Sequence, residues 1–379
     1  MKPEIYGIVR ARLEAQGYRL LTYNPTRRTG ERYNPLDDLE DPEAVGELSA
    51  ALIPAPRAEA AVFSESARDL LDALVSHVQA ERGAASLPDV RAFVAEFDEH
   101  KGLIRRLAKS PSPEARELAQ GLALVAQNER LLGAVFATLR GSLRFLRYPA
   151  IRDSLARSDF SLSALCGGRA GLFLQFEERH QETTAALLSA LLGHLMRYLI
   201  AHTDRPPVLL LLDEIGTAPR IAGLARKLNT LRSRRLPTWL YWQSKEQMQA
   251  YGEQADEGPS VILGACDLHL AFRLNDNATA EWLSRKIGTM DRVVQALSVT
   301  YGAGWLPTLT RSAHLVQEPA VFPHELQSLA AGEVVAAYRG LAWRGQATPY
   351  FKRWPEYAGR RPDQAVAAAY PDDPAAAAG

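Results

Sequence analysis

Apolar positions along the chain recur with two periods, one suited to strands and one to helices. Residues 208–212 are five apolar side chains ending in Asp213 and Glu214, the pattern of a strand buried on both faces and emerging at a sheet edge. Helical spacing follows from about residue 221 to 232, and a second apolar run, 239–242, ends in Gln243 and Ser244. This predicts a strand–helix–strand unit, which in a parallel sheet brings both polar tips to one carboxyl edge. Ligands of open α/β sheets bind at that edge.

Upstream, helical spacing over residues 4–16 leads through Gly17, suited to a C-cap, into a strand over 18–23. A turn-rich loop spans 24–35, and residues 42–79 are helical, with Phe63, Leu70, Leu71 and Leu74 on the apolar face. Residues 89–148 are rich in Ala, Leu, Arg and Glu, lack any strand pattern, and are punctuated by Ser110-Pro111-Ser112-Pro113. Two or three packed helices are expected there. Alternation then resumes, with strands over 171–176, 269–274 and 333–338 and helices over 183–200 and 278–287. The closing stretch of Ala, Pro and Asp is expected to be a disordered tail.

Composition adds limits. At 379 residues, 47% apolar and 23% charged, the chain is ordinary globular protein with room for two domains. Lys plus Arg and Asp plus Glu are 44 each, so any electrostatic case for nucleic acid has to be local. Cys166 and Cys266 have no metal or redox spacing and are expected to be buried thiols in a reducing cytosol. The eight histidines are scattered, no apolar run is expected to reach the ~18 residues of a membrane span, and the amino terminus lacks a signal-peptide core.

The acidic tip fits nucleotide hydrolysis. Asp213 would hold Mg²⁺ through a water, Glu214 would polarise the attacking water, and Gln243 could sense a γ-phosphate. The plain alternative is an Asp-Glu pair that caps a strand and opens a loop. Between Glu214 and Glu246 lie Arg220, Arg226, Lys227, Arg232, Arg234, Arg235 and Lys245, with no acidic residue. Such a run is either a solvated helix face or a set of contacts to polyphosphate or to a neighbouring subunit. Trp239, Tyr241 and Trp242 stand nearby, but as parts of a core strand they are expected to be buried.

Several segments in order resemble the type IV secretion coupling proteins, the TraG/TraD-type ATPases of conjugative DNA transfer. They are RYNPLDDL (32–39), SARDLLDAL (66–74), SDFSLSAL (158–165), LLLLDEIGTAPRIAGL (209–224), WQSKEQMQAYG (242–252), RLNDNATAEWLSRKIG (273–288) and FPHELQSLAAGEVV (322–335). The resemblance implies an α/β fold: a RecA-like, mostly parallel sheet flanked by helices, with an inserted all-α subdomain. It divides the chain into 1–84 and 151–357 for the nucleotide-binding domain, 85–150 for the all-α domain and 358–379 for the tail. It implies ATP and Mg²⁺ as cofactors, hexamers peripheral to the inner membrane on the cytoplasmic side, and export of a relaxase-bound single DNA strand. Relaxosome proteins and secretion-channel components are the implied partners.

Position by position, Asp213 and Glu214 match the family's Walker B pair, with Asp213 on the metal and Ser244 beside the nucleotide. Gln243 matches the glutamine motif, and Arg232 matches the arginine that reaches a neighbour's nucleotide. Arg220, Arg226, Lys227, Arg234 and Arg235 are the candidates for DNA phosphates.

One departure stands out. The sequence holds no G-x-x-x-x-G-K-[ST]; Gly167-Gly168 and Gly302 to Gly304 come nearest, and neither precedes Lys-Ser or Lys-Thr. Met1-Lys2-Pro3-Glu4 looks like the tail of the turn that follows the family's phosphate loop. The expectation is therefore a truncated or split product, or a misplaced start, that grips ATP poorly alone. Two other readings stay open: a non-catalytic module docking relaxosome proteins through 85–150, and a fragment of an FtsK/HerA-type translocase.

Overall fold

The computed structural model describes residues 4–27, 30–54, 61–216, 220–221, 223–252, 258–300 and 308–354. These form two compact units, one within Met1–Trp242 and the other within Gln243–Gly359. The carboxyl-terminal tail and Gly302 to Gly304 lie outside the described residues.

In the first unit, helix α1 (Glu4–Ala15) closes at Gly17, whose φ of +80° and bond from its N–H to Glu14 O at 2.9 Å make the C-cap. Strand β1 (Arg19–Tyr23) follows, and it pairs in parallel with β2 (Ala170–Leu174), Arg19 opposite Ala170. Between the two, the described residues form seven α-helices: α2 (Pro42–Leu52), α3 (Ala61–Arg82), α4 (Leu87–Ala95), α5 (His100–Leu107), α6 (Pro113–Val125), α7 (Glu129–Ser142) and α8 (Pro149–Leu155). The expected helix over 42–79 is two helices, because Ile53 turns extended (φ −120°, ψ 76°) ahead of Pro54. Asp41, Ser86, Ser112 and Asn128 each cap the helix they precede with a side-chain oxygen. Helix α3 is the spine, with Leu70, Leu71 and Leu74 fully buried, and α2, α6 and α7 all pack on it.

The RYNPLDDL turn joins this helical block to the rest of the unit. Asp38 accepts from Tyr33 Oη (3.0 Å), Ser161 Oγ (2.6 Å) and Leu162 N (2.9 Å). Asn34 Nδ2 donates to Asp37 Oδ1 and Ala85 O, both at 2.8 Å, and Ser158 Oγ donates to Asp37 Oδ2 at 2.7 Å. Arg32 grips Asp159 through Nε and Nη2, each at 3.0 Å. Two of the segments that carried the resemblance, 32–39 and 158–165, are therefore one hydrogen-bonded joint, and Ala85 ties the start of the helical block to it. Tyr33 Oη also meets His194 Nε2 at 3.0 Å, where burial pushes the imidazole down to about 4.

His194 lies on α9 (Gln181–Ala201), which packs on α2. By length and composition α9 could cross a membrane (mean hydropathy 1.4), which corrects the expectation that no segment qualifies. Two-thirds of that window (67%) is buried in the fold, as in a core helix. Strand β3 (Leu210–Leu212), helix α10 (Leu224–Leu231) and strand β4 (Thr238–Leu240) complete the unit, β3 and β4 running parallel with Leu211 opposite Trp239.

The burial expected for these two strands is corrected. Leu210 and Leu212 are buried, but Leu209 and Leu211 are 52% and 38% exposed, and Trp239 and Tyr241 are 49% and 41% exposed. Among the described residues β3 and β4 bond only to each other, so one face of the pair is open.

The second unit holds α11 (Pro259–Ala265), β5 (Leu268–Ala271), α12 (Asn277–Ile287), β6 (Thr289–Thr300), β7 (Thr308–Pro319), α13 (Pro323–Gln327), β8 (Glu333–Tyr338) and β9 (Leu341–Gln346). Strand β8 lies between β5 and β9, antiparallel to both, over a core of Leu283, Ile287, Leu326, Leu329 and Val335. Strands β6 and β7 form a long antiparallel ladder, and neither they nor β9 are predicted by the sequence analysis.

Candidate functional site

Asp213 and Glu214 stand directly past the last residue of β3, half-buried, at the carboxyl edge of the β3–β4 pair. The ladder runs one bond further, Tyr241 N donating to Leu212 O at 3.1 Å, so Tyr241 lies alongside Asp213. Burial, and then the Asp213 charge, push the Tyr241 hydroxyl above its usual range. Glu214 holds a left-handed backbone (φ +53°), a conformation that costs an L-residue about 1–2 kcal/mol and that collects at functional sites.

Gln243 follows β4 by three residues and opens the second unit. Its backbone N–H donates to Gln247 Oε1 at 3.0 Å, and its side chain is exposed. Ser244 is half-buried beside it.

The basic residues do not form one patch. Arg220 is exposed just ahead of α10, while Arg226 and Lys227 lie in the first turn of that helix. Lys227 Nζ is 3.4 Å from Glu47 Oε2, which satisfies part of its charge. Both line a cleft of about 360 Å³ between α2, α9 and α10. Arg232, Arg234 and Arg235 occupy the turn from α10 into β4, at the amino end of that strand. Since the pair is parallel, this is the end opposite Asp213. Arg232 is thus placed away from its own chain's acidic tip.

Two further features carry no signal in the sequence. Arg205, 4% exposed, binds the backbone of the Arg232–Arg235 turn. At the carboxyl end of the β1–β2 pair, Glu177 is gripped by Arg27 Nε (2.5 Å) and Arg179 Nε (2.6 Å). Burial opposes ionisation of Glu177, but these bonds outweigh it and hold the carboxyl below its usual range. Neither feature leaves a mark in hydropathy or spacing.

Gly167-Gly168 is a tight turn ahead of β2, Gly168 at φ +82°, at the amino end of its strand and so away from the ligand edge. Cys166 and Cys266 are free and half-buried rather than buried. Among the described residues no group of three His, Cys, Asp or Glu is placed to hold a metal ion. Asp213 and Glu214 place two carboxylates at the carboxyl edge of the pair, donors of the type that hold Mg²⁺.

A family model described as Type IV secretory system Conjugative DNA transfer matches residues 1–370. The chain is 24% identical over 305 residues to the "Probable conjugal transfer protein TraG" of Sinorhizobium fredii, covering 74% of this chain and 44% of that protein. It is 26% identical over 316 residues to "Protein VirD4" of Agrobacterium fabrum, covering 79% and 46%. With the "Type IV secretion system-coupling protein VirD4" of Bartonella quintana it shares 23% over 361 residues, 89% and 55%. The chain thus spans about half the length of the curated relatives it matches.

Among solved structures, the "Bacterial conjugative coupling protein TrwBdeltaN70" in unbound form matches with a TM-score of 0.64 at 15% identity, over 92% of this chain and 82% of that one. "Plasmid coupling protein TrwB in complex with ADP and Mg2+" matches with a TM-score of 0.60 at 15% identity, over 87% and 73%. At such identity the likeness establishes the fold alone, the RecA-like α/β fold. Matched by the family model across residues 1–370, the chain belongs to the type IV secretion family of conjugative DNA-transfer coupling proteins.

Proposed function

We propose that this chain supplies the acidic half of the nucleotide site of a conjugative coupling protein. The carrying observation is the parallel β3–β4 pair, with Asp213 and Glu214 at its carboxyl edge, in a fold shared with TrwB. In this reading Asp213 would hold Mg²⁺ through a water and Glu214 would accept a proton from the attacking water, while Gln243 and Ser244 are nucleotide-side residues by resemblance to the family alone. Bound Mg²⁺–ATP would supply the energy that moves relaxase-bound DNA or protein toward the secretion channel. Arg232, at the far end of the strands, serves the site of the next subunit in a ring of six at the cytoplasmic face of the inner membrane. Residues 85–150 form the all-α domain that receives relaxosome components.

A chimera tests this. Fusing a strand and a G-x-x-x-x-G-K-[ST] loop ahead of Met1 is expected to give magnesium-dependent ATP turnover. Glu214→Gln should lower that turnover at least about 100-fold, the scale of a positioned acid–base group. Turnover that survives the substitution would remove Glu214 from the mechanism.

Direct contact with single-stranded DNA is favoured by a separate observation. Trp239 and Tyr241 are about half exposed, with ring centroids 6.4 Å apart on the open face of the β3–β4 pair. Stacking on such rings contributes about 1–3 kcal/mol per base, so Trp239→Ala should weaken binding of a labelled oligothymidine about 5- to 150-fold. Unchanged anisotropy titrations would count against a stacking platform.

A further inference from the structure

Arg205 is a buried guanidinium surrounded by backbone carbonyls. Nη2 donates to Leu199 O at 2.9 Å and Arg234 O at 3.1 Å, and Nη1 donates to Pro206 O at 3.0 Å and Arg235 O at 3.3 Å. Arg235 Nη1 returns a bond to Arg205 O at 3.3 Å. Leu199 lies in the last turn of α9, where carbonyls lack helical partners and the helix dipole is negative. That terminus offsets the Arg205 charge in place of a carboxylate.

The same turn is closed by its own backbone: Arg235 N donates to Arg232 O at 3.3 Å, and Leu236 N to Leu231 O at 3.0 Å. Arg235 sits at φ +55°, and its carbonyl also accepts Val208 N at 3.1 Å, ahead of β3. One side chain thus joins the end of α9, Pro206 and the Arg232–Arg235 turn, and that turn holds Val208 ahead of β3 through the Arg235 carbonyl. Arg232 and Arg234, both exposed, project from a turn that Arg205 holds from beneath.

We propose that Arg205 is the positioning residue of a phosphate grip formed by Arg232 and Arg234. The inference rests on the reading of that turn as phosphate-binding and adds the residue that sets its geometry. Phosphate reaches the turn either from the nucleotide of a second copy of the chain or from a nucleic-acid backbone. Lysine cannot replace Arg205, because one ammonium does not span four carbonyls that the planar fork reaches together.

The test uses the whole chain and two probes. The first is oligothymidine, titrated across salt concentrations; the second is Mg²⁺–ATP at millimolar concentration with the same substitutions placed in the phosphate-loop chimera, self-association being read by sedimentation velocity. Single-strand binding loses about 0.7 of its logarithmic salt slope per lost phosphate contact. The pair Arg232→Ala and Arg234→Ala should therefore lower the slope by about 1.4 if nucleic acid is the source. If the source is a neighbour's nucleotide, the pair abolishes ATP-dependent association instead. Arg205→Lys keeps the charge, so a change in either readout reports geometry; it should reproduce the loss and add nothing on top of the double alanine variant.

Far-UV circular dichroism and a melting curve check folding. Should the lysine variant not fold, Arg205→Gln, which keeps two donors and buries no charge, takes its place. A wild-type response from the Arg205 variant, beside a clear loss in the double alanine variant, overturns the proposal and leaves the phosphate-binding turn standing. No loss in the double alanine variant by either probe overturns both.

Discussion

Replacing Asp38 by alanine is expected to lower the unfolding free energy by about 3–4 kcal/mol. Asp38 receives three hydrogen bonds, from the Tyr33 hydroxyl, the Ser161 hydroxyl and the Leu162 amide, at 3.0, 2.6 and 2.9 Å. Bonds to a charged acceptor contribute about 1.5–3 kcal/mol each when buried; Asp38 is half-buried and Tyr33 Oη keeps His194 as a second partner, so the sum is discounted to about 3–4 kcal/mol. Tyr33 and Leu162 are 3% and 1% exposed, so water does not readily replace the lost partner. The neighbouring substitution Asp37→Ala should cost about 1 kcal/mol, because Asp37 is itself exposed, so water can replace it at Ser158 Oγ, and Asn34 Nδ2 keeps its bond to Ala85 O. Urea melts of the two variants, with unchanged slope, measure the contrast. Equal losses at the two positions would show that the RYNPLDDL turn is not the joint described above.

That turn also shows what a sequence conveys. Its Asn-Pro and Asp-Asp letters announce a tight turn, but not that Asn34 reaches Ala85 or that Asp37 and Asp38 reach residues 158–162. Contacts spanning more than a hundred residues have no local period. The β3–α10–β4 unit was legible because burial on one side of a strand and helix forces apolar spacing. Its depth was not, since an apolar run looks the same whether one face or both are covered, and Trp239 proved exposed. In the second unit β8 was legible as a strand, but its antiparallel direction was not, because alternation carries no polarity. The β6–β7 ladder has no clean alternation to read, because Gln295 breaks the row of Val293, Leu297 and Val299, Val294 and Ala296 are apolar on the other face, and every residue of β6 is exposed. Arg205 is one arginine among many by sequence; only burial distinguishes it.

The 379-residue polypeptide on its own is expected to bind ATP at least about 1,000-fold more weakly than the chimera carrying a phosphate loop. The acids Asp213 and Glu214 repel a triphosphate until a metal intervenes, and no three-ligand group among the described residues holds that metal for them. A phosphate loop supplies backbone N–H groups at a helix start and a lysine, and the sequence has neither in the required spacing. Three charge-assisted bonds at about 1.5–3 kcal/mol each amount to about 4.5–9 kcal/mol, which is about 10³- to 10⁶-fold in affinity. Calorimetric titration of both proteins with Mg²⁺–ATP measures the difference directly. Micromolar binding by the unaided chain would mean that the basic residues around Arg220, Arg226 and Lys227, and not an added loop, carry the phosphates, and the division of labour proposed for this site would have to be redrawn.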